Sequence, residues 1–217
     1  MAESKKSDVG RRISKISVAA VFALTTLVFL LGILAGNAIT SAKLNQIESM
    51  QNELKDELVS IELEDTLMQE SPCIDVPLLS KKLDDLATRL TYLENEYKKD
   101  DPQILELKKP YTLLQVRHYI RMKKTIEHCK MNFTLILFFY DNTPEKISES
   151  EKQGFILDYI KLKYDNVKIY SFDSRLDMDI IKTMMNIFSV QNTPALVING
   201  KVYTGLHYKE EIEKLLA

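Results

Sequence analysis

The hydrophobic pattern begins with a run of 27 uncharged residues, Ile16 to Ala42. A helix rises about 1.5 Å per residue, so roughly 20 residues cross the ~30 Å hydrocarbon layer of a bilayer. A helix buried in a soluble core rarely lacks a polar stripe over this length. The run therefore predicts a transmembrane helix over residues 16–42, in a single-pass membrane protein.

The charges on either side of this run predict its orientation. Five basic residues precede it, against Glu3 and Asp8, for a net charge of +3: Lys5, Lys6, Arg11, Arg12 and Lys15. Residues 43–217 hold 24 basic and 29 acidic residues, for −5. Basic residues beside a span stay in the cytoplasm, so residues 1–15 are predicted to be a cytoplasmic tail of a cell-membrane protein, with residues 43–217 extracytoplasmic.

A cleaved signal peptide is the alternative to a retained anchor. Small residues at Gly36, Ala38, Thr40 and Ala42 would suit a signal peptidase. The apolar core is long for a signal peptide, whose apolar region spans roughly 7–15 residues. A signal anchor that stays in the membrane is therefore favoured.

Residues 43–70 carry the pattern of a coiled-coil-like stalk. Apolar residues occupy six of eight seam positions: Leu44, Ile47, Leu54, Leu58, Ile61 and Met68. Gln51 and Asp65 interrupt the seam. Such spacing is typical of an amphipathic helix with a coiled-coil seam. The seam is satisfied either within one chain or by a second copy in a homodimer, and the pattern leaves both open.

Residues 71–130 are predicted to form an αα-hairpin. The first helix has apolar residues spaced by four and three: Leu79, Leu83, Leu86, Leu90, Leu93 and Tyr97. Turn residues end at Pro102, which suits the first position of a new helix. This helix should run from about Gln103 to Lys130, with a kink at Pro110.

The two cysteines lie symmetrically about the predicted turn. Residue 101 is the midpoint of Cys73 and Cys129, so an antiparallel hairpin brings the two thiols side by side. A disulfide there closes a loop of about 57 residues, worth roughly 4 kcal/mol in the chain-entropy model. Two unrelated buried thiols are the alternative. His128 adjoins Cys129, but a metal site would need more ligands, and none is expected.

Residues 131–217 alternate between strand and helix patterns. The apolar run 133–140 predicts a buried strand, and 167–172 a second one. Helical periodicity occupies residues 148–164, 177–188 and 208–216. Asn199-Gly200 joins two short strands, 195–198 and 201–204, as a hairpin turn. The predicted order is β-α-β-α-β-β-α, an α/β domain.

The segment from Asn192 to Lys201, with Thr193-Pro194 before a strand and Asn199-Gly200 after it, resembles the thioredoxin and glutaredoxin superfamily. The resemblance covers residues 132–217 and implies a thioredoxin-like fold with a cis peptide bond before Pro194. It also implies that the surface beside Thr193 and Pro194 holds an extended substrate segment. The whole arrangement is similar to archaeal membrane-anchored proteins with a helical hairpin and a small thioredoxin-like domain.

The sequence departs from this family where its chemistry resides. Thioredoxins carry a Cys-x-x-Cys motif at the start of the helix after the first strand, where the helix terminus favours a thiolate. The favoured alignment register places Ile147 and Ser150 at those two positions, and the alternative register places Thr143 and Lys146 there. Both registers lack cysteine, so the domain is predicted to have no redox dithiol.

These observations predict a non-catalytic thioredoxin-like module that binds or scaffolds a protein or an extended peptide. The alternative is a thiol-disulfide oxidoreductase, or redox partner, that uses Cys73 and Cys129 as its exchanging pair. A purely structural stalk is a third class. No cofactor is expected. Lys163, Lys168 and Lys182 are dispersed along the sequence, so no nucleic-acid surface is expected.

Overall fold

The computed structural model describes residues 15–67, 73, 76–97, 99 and 101–216. Three helices come first: α1 (Lys15–Leu67), α2 (Val76–Tyr97) and α3 (Pro102–Cys129). Then follow β1 (Thr134–Tyr140), α4 (Ile147–Lys163), β2 (Val167–Asp173), α5 (Asp179–Ile187), β3 (Ala195–Ile198), β4 (Lys201–Thr204) and α6 (Lys209–Leu216). The order from β1 onward is the predicted β-α-β-α-β-β-α. The predicted tail up to residue 14 and the seam position Met68 lie outside the described residues.

The chain divides into two units after Glu48. In the first unit, α1 is long and apolar enough to cross a membrane. Its large apolar side chains are exposed from Ile16 to Ile39, as a helix surrounded by lipid requires. The helix does not end at Ala42, so the predicted boundary between anchor and stalk is not a helix boundary.

In the second unit, the last part of α1 packs against the hairpin. Met50 and Leu54 are buried in one cluster with Leu83, Leu86 and residues of α3, and Leu58 packs at its edge. Ion pairs of Glu57 with Lys82 and of Glu53 with Arg89 flank this contact. The chain's own hairpin therefore covers the stalk seam at Leu54 and Leu58.

The sheet has the strand order β2-β1-β3-β4. Strands β1 and β2 are parallel, with Thr134 opposite Val167, whereas β3 runs antiparallel to both β1 and β4. The β3–β4 turn is formed by Asn199 and Gly200, which both have positive φ, as the type I′ hairpin turn requires.

Helices cover both faces of this sheet. Ile136 and Phe138 of β1 face α4 and α6, in a cluster that includes Leu157, Ile160 and Ile212. The alternate residues Leu137 and Phe139 belong to the other cluster, with α5 and the hairpin. Side chains alternate between faces along a strand, which explains how one apolar run supplies both clusters. The hairpin thus shares a core with the α/β domain, and the predicted division between residues 130 and 131 does not separate two cores.

Helix α3 runs along β2 from its carboxyl end toward its amino end. Lys108 contacts Asp173 at the carboxyl end of β2, and ten residues later His118 contacts Tyr170. The helix begins where Asp101 accepts a hydrogen bond from the Gln103 backbone N–H at 2.8 Å, with Pro102 in the first turn. It passes through Pro110 without ending.

Candidate functional site

The peptide bond between Thr193 and Pro194 is cis, as the family resemblance implies. It lies directly before β3, and β3 is antiparallel to β1, so it adjoins the carboxyl end of β1. The Pro194 carbonyl accepts a hydrogen bond from the Gly205 N–H at 2.8 Å. Thr193 and Pro194 are themselves buried, whereas the preceding Asn192 is exposed.

Thr143 and Lys146 form the turn that leads from β1 into α4. The Thr143 N–H donates to Asp141 Oδ1 at 2.8 Å, and the Thr143 carbonyl accepts from the Ile147 N–H at 2.8 Å. Lys146 Nζ donates to Thr193 Oγ1 at 3.3 Å. The structure therefore brings this alignment register against the cis proline.

Ser150 lies inside α4 and is 3% exposed. Its hydroxyl accepts from the Asp141 N–H at 3.2 Å and donates to the Asp141 carbonyl at 2.9 Å. Ile147, the other position of this register, is the first residue of α4 and is half-buried. The Ser150 hydroxyl thus holds the β1–α4 loop onto the helix.

Cys73 and Cys129 are at disulfide distance, with Cα atoms 5.8 Å apart. Cys129 ends α3, and the helix reaches it 11 residues after the contact of His118 with Tyr170. The helix from His118 to Cys129 is about 16 Å long and leads away from the carboxyl ends of the strands. The cysteine pair therefore lies toward the opposite end of the sheet from Thr193 and Pro194, which disfavours the alternative of an oxidoreductase built on both.

A buried ion cluster lies where α3 meets the carboxyl end of β2. Lys108 is 2% exposed, and its Nζ lies 2.6 Å from Glu94 Oε1 and 3.0 Å from Asp173 Oδ2. Asn142 Nδ2 donates to the same Asp173 oxygen at 3.3 Å. Burial lowers the pKa of Lys108, but the two carboxylates outweigh it, so the pKa is raised above its ordinary value.

Sequence analysis missed this cluster, although one signal was available. Lys108 follows the buried residue Ile104 by four positions, which places it on the same face of the helix. A lysine on an apolar face calls for a carboxylate partner. No local pattern identifies Asp173, which is 65 residues away.

A chain of three polar side chains joins α2, α3 and β2. His118 is fully buried, with Nδ1 2.7 Å from the Tyr170 hydroxyl and Nε2 3.1 Å from Ser80 Oγ. Burial, reinforced by the charges of Lys168 and Arg121, lowers the pKa of His118 to about 3. The imidazole is therefore neutral at physiological pH, with one donor and one acceptor nitrogen to match its two partners.

Asp84 of α2 gathers two lysines that appear dispersed in the sequence. Lys168 Nζ lies 3.0 Å from both carboxylate oxygens, and Lys161 Nζ lies 2.9 Å from Oδ1. Burial lowers the pKa of Lys168 despite the attraction of Asp84. These ion pairs join α2 to α4 and β2, and their role is structural.

Across the described part of the chain, no group of three histidine, cysteine or acidic side chains is arranged to hold a metal ion. No protein-family model and no curated protein matches the chain. The chain is similar to the crystal structure of a chloroplastic thioredoxin z, at 16% identity and a TM-score of 0.33, over 44% of this chain and 85% of that one. A similarity at this identity and TM-score assigns no family. The strand order β2-β1-β3-β4 and the cis proline of the chain itself are consistent with a thioredoxin-like domain.

Proposed function

We propose that this protein is a membrane-anchored thioredoxin-like module that binds an extended peptide or a partner protein beside Thr193 and Pro194, without thiol chemistry at that site. The observation that carries the proposal is the contact of Lys146 with Thr193 Oγ1. This contact supports the proposal because it joins the loop between β1 and α4 to the residue that precedes the cis proline. A domain with this loop beside the cis proline can still bind a peptide there. Without the two thiols it has no thiolate to attack a disulfide.

The accessible part of this surface is its rim. Thr193 and Pro194 are buried, so an incoming segment would meet Pro144, Lys146 and Asn192, which are exposed or half-buried. Lys146 adds a positive charge at the amino end of α4, where the helix dipole is also positive. Lys146 is therefore the group on this rim that would bind an acidic side chain of the segment, although the exposed Glu145 and Glu149 flank it.

The test measures binding of extended acidic peptides to the full-length chain in detergent micelles by fluorescence anisotropy. We expect Lys146→Glu to weaken binding strongly, because it reverses the charge at the rim. Lys152→Glu is the matched control, since Lys152 is exposed on the same helix away from Thr193. Absence of peptide binding, or an equal loss in both variants, would contradict the proposal.

The proposed location is the cell membrane, with the amino terminus in the cytoplasm and the domains from residue 43 onward outside it. The basic cluster before the apolar run supports this orientation. A reporter that is active only in the cytoplasm, fused after Ala217, should remain silent. Activity of that reporter would reverse the orientation and remove the oxidising compartment that favours the Cys73–Cys129 bridge.

We also propose a homodimer through the stalk, limited to the residues of α1 that the hairpin leaves exposed. The hairpin covers Leu54 and Leu58, but Val59 and Leu63 of α1 are exposed. Crosslinking through cysteine introduced at Leu63, in a variant without the native cysteines, tests whether these residues meet a second copy. A chain that stays monomeric in native membranes would exclude the dimer.

A further inference from the structure

A cavity of about 190 Å³ lies among α2, α3, α4 and β2, apart from the Thr193–Pro194 surface. Its volume is roughly six times the ~30 Å³ that a water molecule occupies in the liquid. The walls include Glu94 of α2, Tyr111 and Gln115 of α3, Asp158 of α4 and Ser171 of β2. The cavity is therefore large enough for a short organic group and is lined by hydrogen-bonding side chains.

Gln115 supplies a buried acceptor without a partner. The residue is 4% exposed, and its Oε1 atom has no hydrogen bond within the described part of the protein. The hydrogen bond of the same side chain with the Tyr111 hydroxyl is made through the amide nitrogen, since Oε1 has no partner within the described residues. A buried polar atom left unpaired costs about 1–3 kcal/mol, and native proteins satisfy nearly all such atoms. The occupant of the cavity should donate a hydrogen bond to this oxygen.

The charged side chains that line the cavity indicate whether the bound donor group is a cation or an anion. Four carboxylates and two ammonium groups line the cavity: Asp84, Glu94, Asp158, Asp173, Lys108 and Lys161. Lys108 is paired with Glu94 and Asp173, and Lys161 with Asp84. The formal charge of the lining is −2, or −1 when Lys168, which also pairs with Asp84 from outside the lining, is counted, and this disfavours an anion and favours a cation.

Asp158 lies at the more exposed rim, and among the described residues it is the carboxylate of these four that has no ion pair. Partial burial raises the pKa of Asp158, and the charge of Lys161 offsets this only in part. A cation beside Asp158 would stabilise its ionised form. The free acceptor inside the cavity and the acidic group at its rim therefore call for the same kind of ligand.

We propose that this cavity binds a primary ammonium group, which donates to Gln115 Oε1 and is balanced by the carboxylates of Asp158 and Glu94. The ammonium group belongs either to a small free amine or to a lysyl side chain of a partner protein. Both sources present the same chemistry, a cationic donor on a short aliphatic chain, and the cavity volume admits either. This site is independent of the proposed peptide surface, because it shares no residue with it.

The test uses the full-length chain in detergent micelles, with propylamine and a capped Gly-Lys-Gly peptide as the two ammonium probes. Calorimetry and saturation-transfer NMR compare them with 1-propanol, propionate and a capped peptide with norleucine in place of lysine. We expect one or both ammonium probes to bind and the three comparison compounds not to bind. Binding of the peptide alone identifies a lysyl partner, and binding of propylamine alone identifies a free amine.

Two variants locate the binding. Gln115→Leu removes the acceptor at similar volume and should weaken ammonium binding about tenfold, the loss expected for one hydrogen bond to a charged group. Asp158→Asn at the rim should also weaken ammonium binding. Because Asp158 is exposed, this variant should fold and can test the proposal even if Gln115→Leu does not fold. Asp165→Asn is the matched control, because Asp165 is exposed just after α4 and outside the cavity.

Three results would overturn the proposal. The first is no binding of either ammonium probe at millimolar concentration, which would mean that water alone fills the cavity. The second is equal binding of 1-propanol, which would remove the role of charge. The third is unchanged affinity in Asp158→Asn, or the same loss in Asp165→Asn, which would place the amine elsewhere on the acidic surface.

Discussion

The edge of the sheet at Thr193 and Pro194 and the face of the sheet that the hairpin covers differ in how many charged and polar side chains they bury. The first region matches a family pattern, yet its polar contacts are few, and one is a lysine–threonine bond of 3.3 Å. The second matches no family pattern, yet it buries Lys108 with its acidic partners and the fully buried His118. The comparison shows that the buried ionisable groups of Lys108 and His118 lie where the hairpin packs against the sheet.

The largest expected effect is at Lys108. Lys108→Ala leaves Asp173 and Glu94 without their buried partner and should lower the free energy of unfolding by about 3–5 kcal/mol. Urea denaturation followed by circular dichroism measures this. The neighbouring Lys109→Ala is the control, because Lys109 pairs with exposed Glu106, and its loss should cost less than about 1 kcal/mol. Similar losses in both variants would show that the buried cluster does not stabilise the fold.

The next effect is that of the bridge between Cys73 and Cys129. A double variant, Cys73→Ser with Cys129→Ser, should lose about 2–4 kcal/mol, because the open loop has more conformational entropy when unfolded. Adding reductant to the wild type should reproduce this loss, and the double variant should be insensitive to reductant. Thiol labelling of the denatured, unreduced protein should find no free cysteine. Two labelled cysteines before reduction would refute the bridge.

The pH dependence of stability should carry the signature of His118. Its pKa is about 3 in the folded protein, below the ordinary value of 6.5, so the unfolded chain binds a proton more readily between these values. The stabilisation is complete above pH 6.5 and is lost as the pH falls toward 3. The loss reaches about 2 kcal/mol between pH 6.5 and 5, at 1.36 kcal/mol per unit.

Denaturation of His118→Gln at several pH values isolates this contribution. The variant should show a shallower dependence on pH than the wild type over that interval. His128→Gln is the control, since His128 is exposed on the same helix. If the free energy of unfolding of His118→Gln depends on pH as steeply as that of the wild type, the buried imidazole does not cause the loss of stability in acid.

At the cis-proline edge, a smaller effect is expected from Ser150→Ala. The variant removes the hydroxyl that joins α4 to Asp141 and should cost about 1 kcal/mol. Ser148→Ala, at an exposed position of the same helix, should stay within about 0.5 kcal/mol of the wild type. A loss at Ser150 as large as that at Lys108 would erase the contrast between the two regions.

The smallest effect on stability is expected when cysteines are restored at the cis-proline edge. In a chain without its native cysteines, Thr143→Cys with Lys146→Cys should form a reversible disulfide and gain weak insulin reduction, because this turn meets Thr193. Ile147→Cys with Ser150→Cys should not, since the Ser150 position is buried inside α4. The reverse outcome would assign the family's two positions to Ile147 and Ser150.

Much of the fold was predictable from local pattern. The bounds of β3 and β4 match the prediction, because Asn199-Gly200 dictates a tight hairpin and the apolar run before it suits a buried strand. Helices α2 and α3 were predicted from their leucine spacing to within a few residues. The apolar helix near the amino terminus follows from hydropathy alone, because an uncharged run long enough to cross a bilayer is visible in the residue types themselves.

By itself, then, the sequence determined the order of elements, the apolar segment and the missing dithiol, because each depends on neighbouring residues or on residue identity. Only the tertiary structure decided what the hairpin does. It packs Leu83 and Leu86 into the same core as Phe139, and it pairs Lys108 with a carboxylate 65 residues away. Within the described residues, it also leaves Gln115 Oε1 without a hydrogen-bond partner beside a cavity. Such partners are chosen by the packing of whole elements, and periodicity reports only which face of an element is buried, not what it meets there.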